Sequence, residues 1–272
     1  MLDPKGPIGS QEKSLILITF WLMLIVAIPV FAMVIWFSLR YRESNKKATY
    51  KPEWEGSLKI ETVIWLVPVA IIAILSYLTW VKTTDLDPYR PIQSTEAPLH
   101  VEVVSLDWNW LFIYPDENIA TVNKLIIPEG RPVTFDLTSA TVMTSFFIPQ
   151  LGSQIYAMAG MVTHLNLEAD SPGTFLGENM EYSGNGYASM HFDTVSLPND
   201  QFSAWVQTAK SSTNSLTLAQ FNHMNNPLMD IPVTTYSQVE PGLFDHIVHS
   251  FDSGSDMSMP GKTMPSQKMT TN

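Results

Sequence analysis

With 272 residues, 45% of them apolar and 15% charged, the chain has room for one ordinary globular domain together with membrane segments. Its 26 acids outnumber its 15 bases, for a net charge of −11, which argues against nucleic acid as a partner. There is no cysteine, so disulfides, thiolate metal sites and thiol nucleophiles are excluded. The charge is uneven along the chain. Residues 83–272 carry 20 acids against 6 bases, whereas the stretch from Arg40 to Glu61 carries 6 bases against 4 acids.

Residues 1–13 form a short N-terminal tail. Ser14 to Leu39 is then an uncharged run of 26 residues, and Thr62 to Val81 is a second of 20. A bilayer core of ~30 Å needs about 20 apolar helical residues, so spans are predicted over 14–39 and 62–82. Neither run has the polar stripe of a soluble helix. Pro29 and Pro68 lie inside them, where a membrane helix tolerates a kink. The connecting loop, 40–61, is basic and should stay in the cytoplasm by the positive-inside rule, which places both termini outside. Trp36, Tyr41, Trp65 and Trp80 stand near span ends, as interfacial anchors or as simple packing residues.

Residues 83–99 read as a linker, with three prolines between Pro88 and Pro98. From His100 the pattern alternates, in His100–Val104, Pro132–Leu137, Thr163–Leu167 and Met190–Asp193. Turn signals separate these runs at Pro128–Gly130, Pro149–Gly152, Ser171–Gly173 and Gly184–Gly186. Short alternating strands at this spacing predict an antiparallel sandwich or barrel over residues 100–198. Residues 199–251 change to helical spacing, with Pro227 closing one segment and Gly242–Phe251 forming another short helix. The tail 252–272 has the composition of a disordered segment. Its four methionines (Met257, Met259, Met264, Met269) are soft enough to bind Cu(I), though scattered thioethers rarely do.

Particular sequence words carry a family resemblance. Leu106-Asp-Trp-Asn-Trp-Leu-Phe-Ile-Tyr-Pro115, Ser145-Phe-Phe-Ile-Pro-Gln-Leu-Gly-Ser-Gln-Ile-Tyr-Ala-Met-Ala-Gly160, Arg40-Tyr-Arg42 and Ile60-Glu-Thr-Val-Ile-Trp65 are the words concerned. Together they resemble subunit II of the haem–copper oxidases, in its bo-type ubiquinol oxidase branch, from Leu2 to about Phe251. The resemblance implies a two-helix hairpin followed by a cupredoxin-like Greek-key β domain. It also implies a cell inner membrane location, a periplasmic domain, and a precursor longer than this chain that carries a lipidated cysteine.

Copper-bearing members of that family hold a dinuclear copper site with two bridging thiolates, two imidazoles, a methionine and a backbone carbonyl. The resemblance matches those positions to Thr144, Asn179, Glu181, Ser183, Tyr187 and Met190. Only Glu181 and Met190 remain. A hydroxyl, an amide and a phenol of pKa ~10 cannot replace thiolates and imidazoles at neutral pH. No metal in this chain is therefore expected, and no electron transfer from cytochrome c. Haem b, haem o (or a) and one copper are implied in subunit I, the main partner, with subunits III and IV beside it. Ubiquinol would be the substrate of the complex.

Three further features invite roles. Trp108 and Trp110 align with aromatics that the family places near subunit I, and packing against that subunit is preferred to electron relay. Glu61 matches a glutamate that the family places at the mouth of a proton pathway; the alternative is a helix-anchoring acid of the first turn. His246 and His249 stand three apart on one helix face, a possible metal pair or simply exposed histidines. No nucleophile–base pair emerges. The competing functional readings are a stand-alone membrane-tethered binding module and a cytochrome c oxidase subunit II with aberrant ligands.

Overall fold

The computed structural model describes residues 2–46, 53–227 and 231–251. The tail 252–272 with its methionines, part of the basic loop, and residues 228–230 lie outside the described residues. Two long helices come first, α1 (Pro7–Arg40) and α2 (Leu58–Asp85), and both are long and apolar enough to cross a membrane. Nothing in the most apolar stretch of either is buried within the chain. Each runs through its internal proline, Pro29 or Pro68. At 1.5 Å per residue they reach about 51 and 42 Å, beyond the ~30 Å of a bilayer core.

The extra length has a structural reason. α1 starts at Pro7 rather than Ser14, with proline in the first turn where its missing N–H is no loss. The residues around that turn grip the β domain. Lys5 N donates to Gln150 O at 2.7 Å, Gly9 N to Leu151 O at 2.9 Å, and Asp170 N to Lys5 O at 2.7 Å. Gly6 permits the approach, since a Cβ there would stand 2.2 Å from Glu168 O. Lys82 Nζ, near the end of α2, donates to Gln11 Oε1 at 3.3 Å. The start of α1, the end of α2 and the domain thus meet at one end of the hairpin.

The strands follow as β1 (Leu99–Ser105), β2 (Trp110–Tyr114), β3 (Ile119–Val122), β4 (Lys124–Pro128), β5 (Val133–Ser139), β6 (Thr144–Phe147), β7 (Ile155–Ala157), β8 (Thr163–Leu167), β9 (Gly173–Asn179) and β10 (His191–Leu197). The C-terminal part adds α3 (Asn199–Lys210), β11 (Ser215–Leu216), α4 (Leu218–Met224), β12 (Thr234–Tyr236), β13 (Gln238–Val239) and α5 (Leu243–His249). One sheet runs β12-β3-β2-β1-β5-β8 and the other β4-β10-β9-β6-β7, giving a sandwich. It is mixed rather than antiparallel throughout, because β1 pairs with β5 and β4 with β10 in parallel. Alternation reveals a strand's buried face but not its partner's direction, which is set by the crossings between sheets. The C-terminal part is likewise more than helical, since β12 extends the first sheet at β3.

The run Trp110-Leu-Phe-Ile-Tyr114 is apolar at every position and buried at every position. Trp110, Phe112 and Tyr114 enter the core between the sheets, beside Phe135, Phe146 and Phe192. Leu111 and Ile113 face the other way, into a second cluster with Phe221, Leu243, Phe244 and Ile247. α4 and α5 therefore roof the outer face of the first sheet, which explains why β2 lacks polar alternation.

Candidate functional site

The loop between β9 and β10 is the one that the family resemblance matches to metal ligands, and here a compact polar network occupies it. Asn179 is buried, and its amide uses both ends. Its Oδ1 accepts from Ser145 N at 2.9 Å and from Glu181 N at 3.0 Å. Its Nδ2 donates to Ser183 Oγ at 3.0 Å and faces Met190 Sδ at 3.3 Å. Thr144 turns its hydroxyl to Ser105 Oγ at 2.7 Å. Glu181 joins through its backbone N–H. Tyr187 joins through its carbonyl, which accepts from Met190 N at 3.1 Å, while its ring lies 5.8 Å from that of Tyr182. The structure thus brings Asn179, Ser183 and Met190 into direct contact, with Thr144 one residue from the Ser145 anchor.

This donor set does not fit copper. The two positions where bridging thiolates would be needed hold an amide and a hydroxyl, already bonded to each other, and only the Met190 thioether is soft. His191 follows Met190 but is exposed, whereas Met190 is 2% exposed, so the imidazole lies on the opposite face. Among the described residues no group of three or more His, Asp or Glu is arranged to hold a metal ion, and α5 presents His246 and His249 without a third such ligand.

The two tryptophans part company. Trp110 is fully buried in the domain's own core, with ring centroids 5.4 Å from Phe146 and 5.6 Å from Phe192. A residue so enclosed cannot face a partner, so the subunit-facing expectation reduces to Trp108. That residue sits half-buried at φ 71°, and its Nε1 donates to Ser183 O at 3.0 Å. Its ring lies on the glycine turn, where a Cβ at Gly186 would meet Trp108 Cδ2 at 2.2 Å. The glycines at 184 and 186 thus serve close packing against an indole.

Glu61 is exposed in the first turn of α2, its N–H donating to Ser57 O at 2.9 Å. Its carboxylate folds back over Gly56, where a Cβ would stand 2.6 Å from Oε1.

Sequence reasoning passed over one cluster. On the outer face of the first sheet, His100 Nε2 lies 2.9 Å from Asp136 Oδ2, and His164 Nδ1 lies 2.5 Å from Asp136 Oδ1. The hydrogen bond to Asp136 raises His100 above its usual pKa, and the same bond holds Asp136 below the ordinary carboxylate range. Glu102, paired across from Asp136, is pushed up to about 7 by burial, with Asp245 and Asp136 adding repulsion. Alternation places each residue on the polar face, but only the strand register joins them.

A cupredoxin-like sandwich behind two membrane-length apolar helices, with amide and hydroxyl groups where a copper pair would need thiolates, defines the class: a subunit II of the oxidase type. Comparison with known proteins narrows it. Residues 116–196 match the model of the cytochrome c oxidase subunit II periplasmic domain, and 210–254 match the COX aromatic-rich motif. The chain is 47% identical over 256 residues to cytochrome bo(3) ubiquinol oxidase subunit 2 of Pseudomonas aeruginosa, covering 94% of this chain and 77% of that one. It is 48% identical over 259 residues to ubiquinol oxidase subunit 2 of Acetobacter aceti, covering 94% and 84%. Quinol oxidase subunit 2 of Bacillus subtilis is 35% identical over 248 residues, covering 90% and 77%. The chain belongs to the ubiquinol oxidase subunit 2 family.

Proposed function

We propose that this chain is the second subunit of a respiratory ubiquinol oxidase, anchoring and shaping the complex without carrying electrons. The observation that carries this reading is the replacement of the soft donor set by the Asn179–Ser183–Met190 network. A water-soluble electron donor at the membrane surface needs a metal relay toward the haems. A lipid-soluble quinol reaches them from within the bilayer and needs none. On this reading subunit I carries haem b, haem o (or a) and one copper, and subunits III and IV complete the assembly. The complex oxidises ubiquinol, reduces oxygen to water and translocates protons. The hairpin spans the inner membrane with the basic loop inside. The contacts between the α1 start and the β domain support a shared periplasmic side for both.

Glu61 fits a proton-entry role on this reading. It stands at the end of α2 nearest the basic loop, exposed to solvent in the isolated chain. On this reading Trp108, half-buried where Trp110 is enclosed, is the aromatic that packs on subunit I. Purification of the chain from its native membrane in mild detergent tests the assignment. Co-purifying haem with quinol-driven oxygen uptake supports it, and a haem-free chain would identify a stand-alone binding module instead.

A further inference from the structure

The linker after α2 is held on the β domain by two parallel rows of side chains on the outer face of β1, β5 and β8. In the first row Thr134 Oγ1 donates to Asn166 Oδ1 at 2.9 Å. Asn166 then donates to Pro88 O through its backbone N–H at 3.1 Å and through Nδ2 at 3.0 Å. In the second row His100 and His164 share the Asp136 carboxylate, and the His164 ring takes the Tyr89 ring edge-on at 5.4 Å. Strand register fixes both rows, because Thr134 opposes Asn166 and Asp136 opposes His164. The first row is built from groups that do not titrate near neutrality. The second contains His100, whose hydrogen bond to Asp136 raises it above its ordinary value of 6.5.

We propose that the His100–Asp136–His164 row is a proton-operated seat for the Pro88–Tyr89 linker, closed at mildly acidic pH and loosened as pH rises through neutrality. Fastening between the membrane hairpin and the β domain then responds to the acidity of the compartment that the domain occupies. The charges facing the row come from every element packed against it. Glu102 lies on β1, Asp116 on the turn after β2, and Asp245 on α5. Among the described residues, the neighbours that act on the row besides the imidazoles are these carboxylates. On the linker side, Arg90 is engaged by Asp85 at 3.4 Å, and Asp87 accepts from Tyr89 N at 3.0 Å.

The signs agree. His100 is raised, so its contribution is complete below the ordinary value of 6.5 and is lost as pH climbs past the raised one. Glu102 is raised to about 7, so burying it costs nothing while it is neutral and progressively more as pH passes from 4.5 through 7. Asp136 is lowered, so its contribution is present above 3.8 and fades only in stronger acid. The seat is firmest between the ordinary carboxylate and histidine ranges.

The Asn166 amide reports whether the linker is docked, because it donates to Pro88 O, the neighbour of the Tyr89 ring that His164 meets. Hydrogen exchange of that amide is measured in the detergent-purified full assembly between about pH 6 and pH 8, corrected for the intrinsic chemical rate. The native chain should lose protection on the order of five- to tenfold across that range, because His100 gives up its proton and Glu102 gains its charge as the pH rises. The Leu111 amide on β2 should hold constant. Asp136→Asn and His100→Gln should each flatten the dependence. Native protection equal within about twofold at both pH values overturns the proposal. So does a dependence retained undiminished in either variant. If Asp136→Asn does not fold, His100→Gln decides alone, since the His100 side chain is 37% exposed and tolerates exchange.

Discussion

Replacing Asn179 by alanine separates a structural polar network from an idle remnant of a metal loop. The residue is 4% exposed, and its Oδ1 is the acceptor for two backbone N–H groups, at Ser145 and Glu181. Ser145 is itself 1% exposed, so water cannot replace the lost acceptor there. An orphaned buried donor costs ~1–3 kcal/mol, and Glu181, half-buried, contributes the lower end of that range. The loss of the Asn179–Ser183 bond adds less, because Ser183 is partly solvated. The sum is about 2–4 kcal/mol, or a fall in Tm of about 5–15 °C for a domain of this size. Ser183→Ala removes a hydroxyl but orphans no backbone donor, and should cost under about 1 kcal/mol. Thermal unfolding of detergent-purified chain, followed by near-ultraviolet circular dichroism, measures both. Equal destabilisation by the two variants, or an Asn179→Ala shift under about 2 °C, would refute the reasoning.

Four further outcomes are expected. The chain loaded with excess copper should retain no tightly bound metal pair by elemental analysis, whereas combining Thr144→His, Asn179→Cys, Ser183→Cys and Tyr187→His should produce a coloured copper site if the loops keep the family's geometry. Glu61→Ala should slow turnover per haem while leaving assembly and haem content intact; unchanged turnover in a fully assembled variant removes Glu61 from proton uptake. Glu102→Gln should stabilise the chain by about 1 kcal/mol at pH 8, after discounting for solvent screening, and by nothing near pH 4.5, because the native carboxyl is raised to about 7 and its burial costs only when it is charged. Gly186→Ala should push the Trp108 ring off its turn, seen as a shift in tryptophan emission, since the new Cβ would lie 2.2 Å from the indole.

The parts of this protein that were legible in its sequence are those governed by local period. The two apolar runs, the alternation of His100–Val104 and Thr163–Leu167, and the glycine at 242 that opens α5 at φ 73° all translate directly into elements. Ser14 was a poor guide to the start of α1, because hydropathy marks the bilayer and not the helix; Pro7 through Lys13 are helical, and the first of these turns rests on the domain. The run at Trp110–Tyr114 concealed its strand, since a strand roofed on both faces has no period of two. Glycines at 184 and 186 signalled a turn, but not the indole lying over it. The missing donors at Thr144, Asn179, Ser183 and Tyr187 could be read from residue type, while the amide that knits the loop together required coordinates. The His100–Asp136–His164 row was illegible for a related reason: its members are 36 and 28 residues apart, and only the β1–β5–β8 register brings them together.

The central claim is that this subunit serves an oxidase fed by quinol and carries no copper relay. It is tested most directly by offering the purified complex ubiquinol and reduced cytochrome c in parallel, with copper counted per haem. The account predicts oxygen uptake with ubiquinol, none with cytochrome c, and no copper beyond that of subunit I. Turnover with cytochrome c, accompanied by two additional coppers bound to this chain, would contradict it.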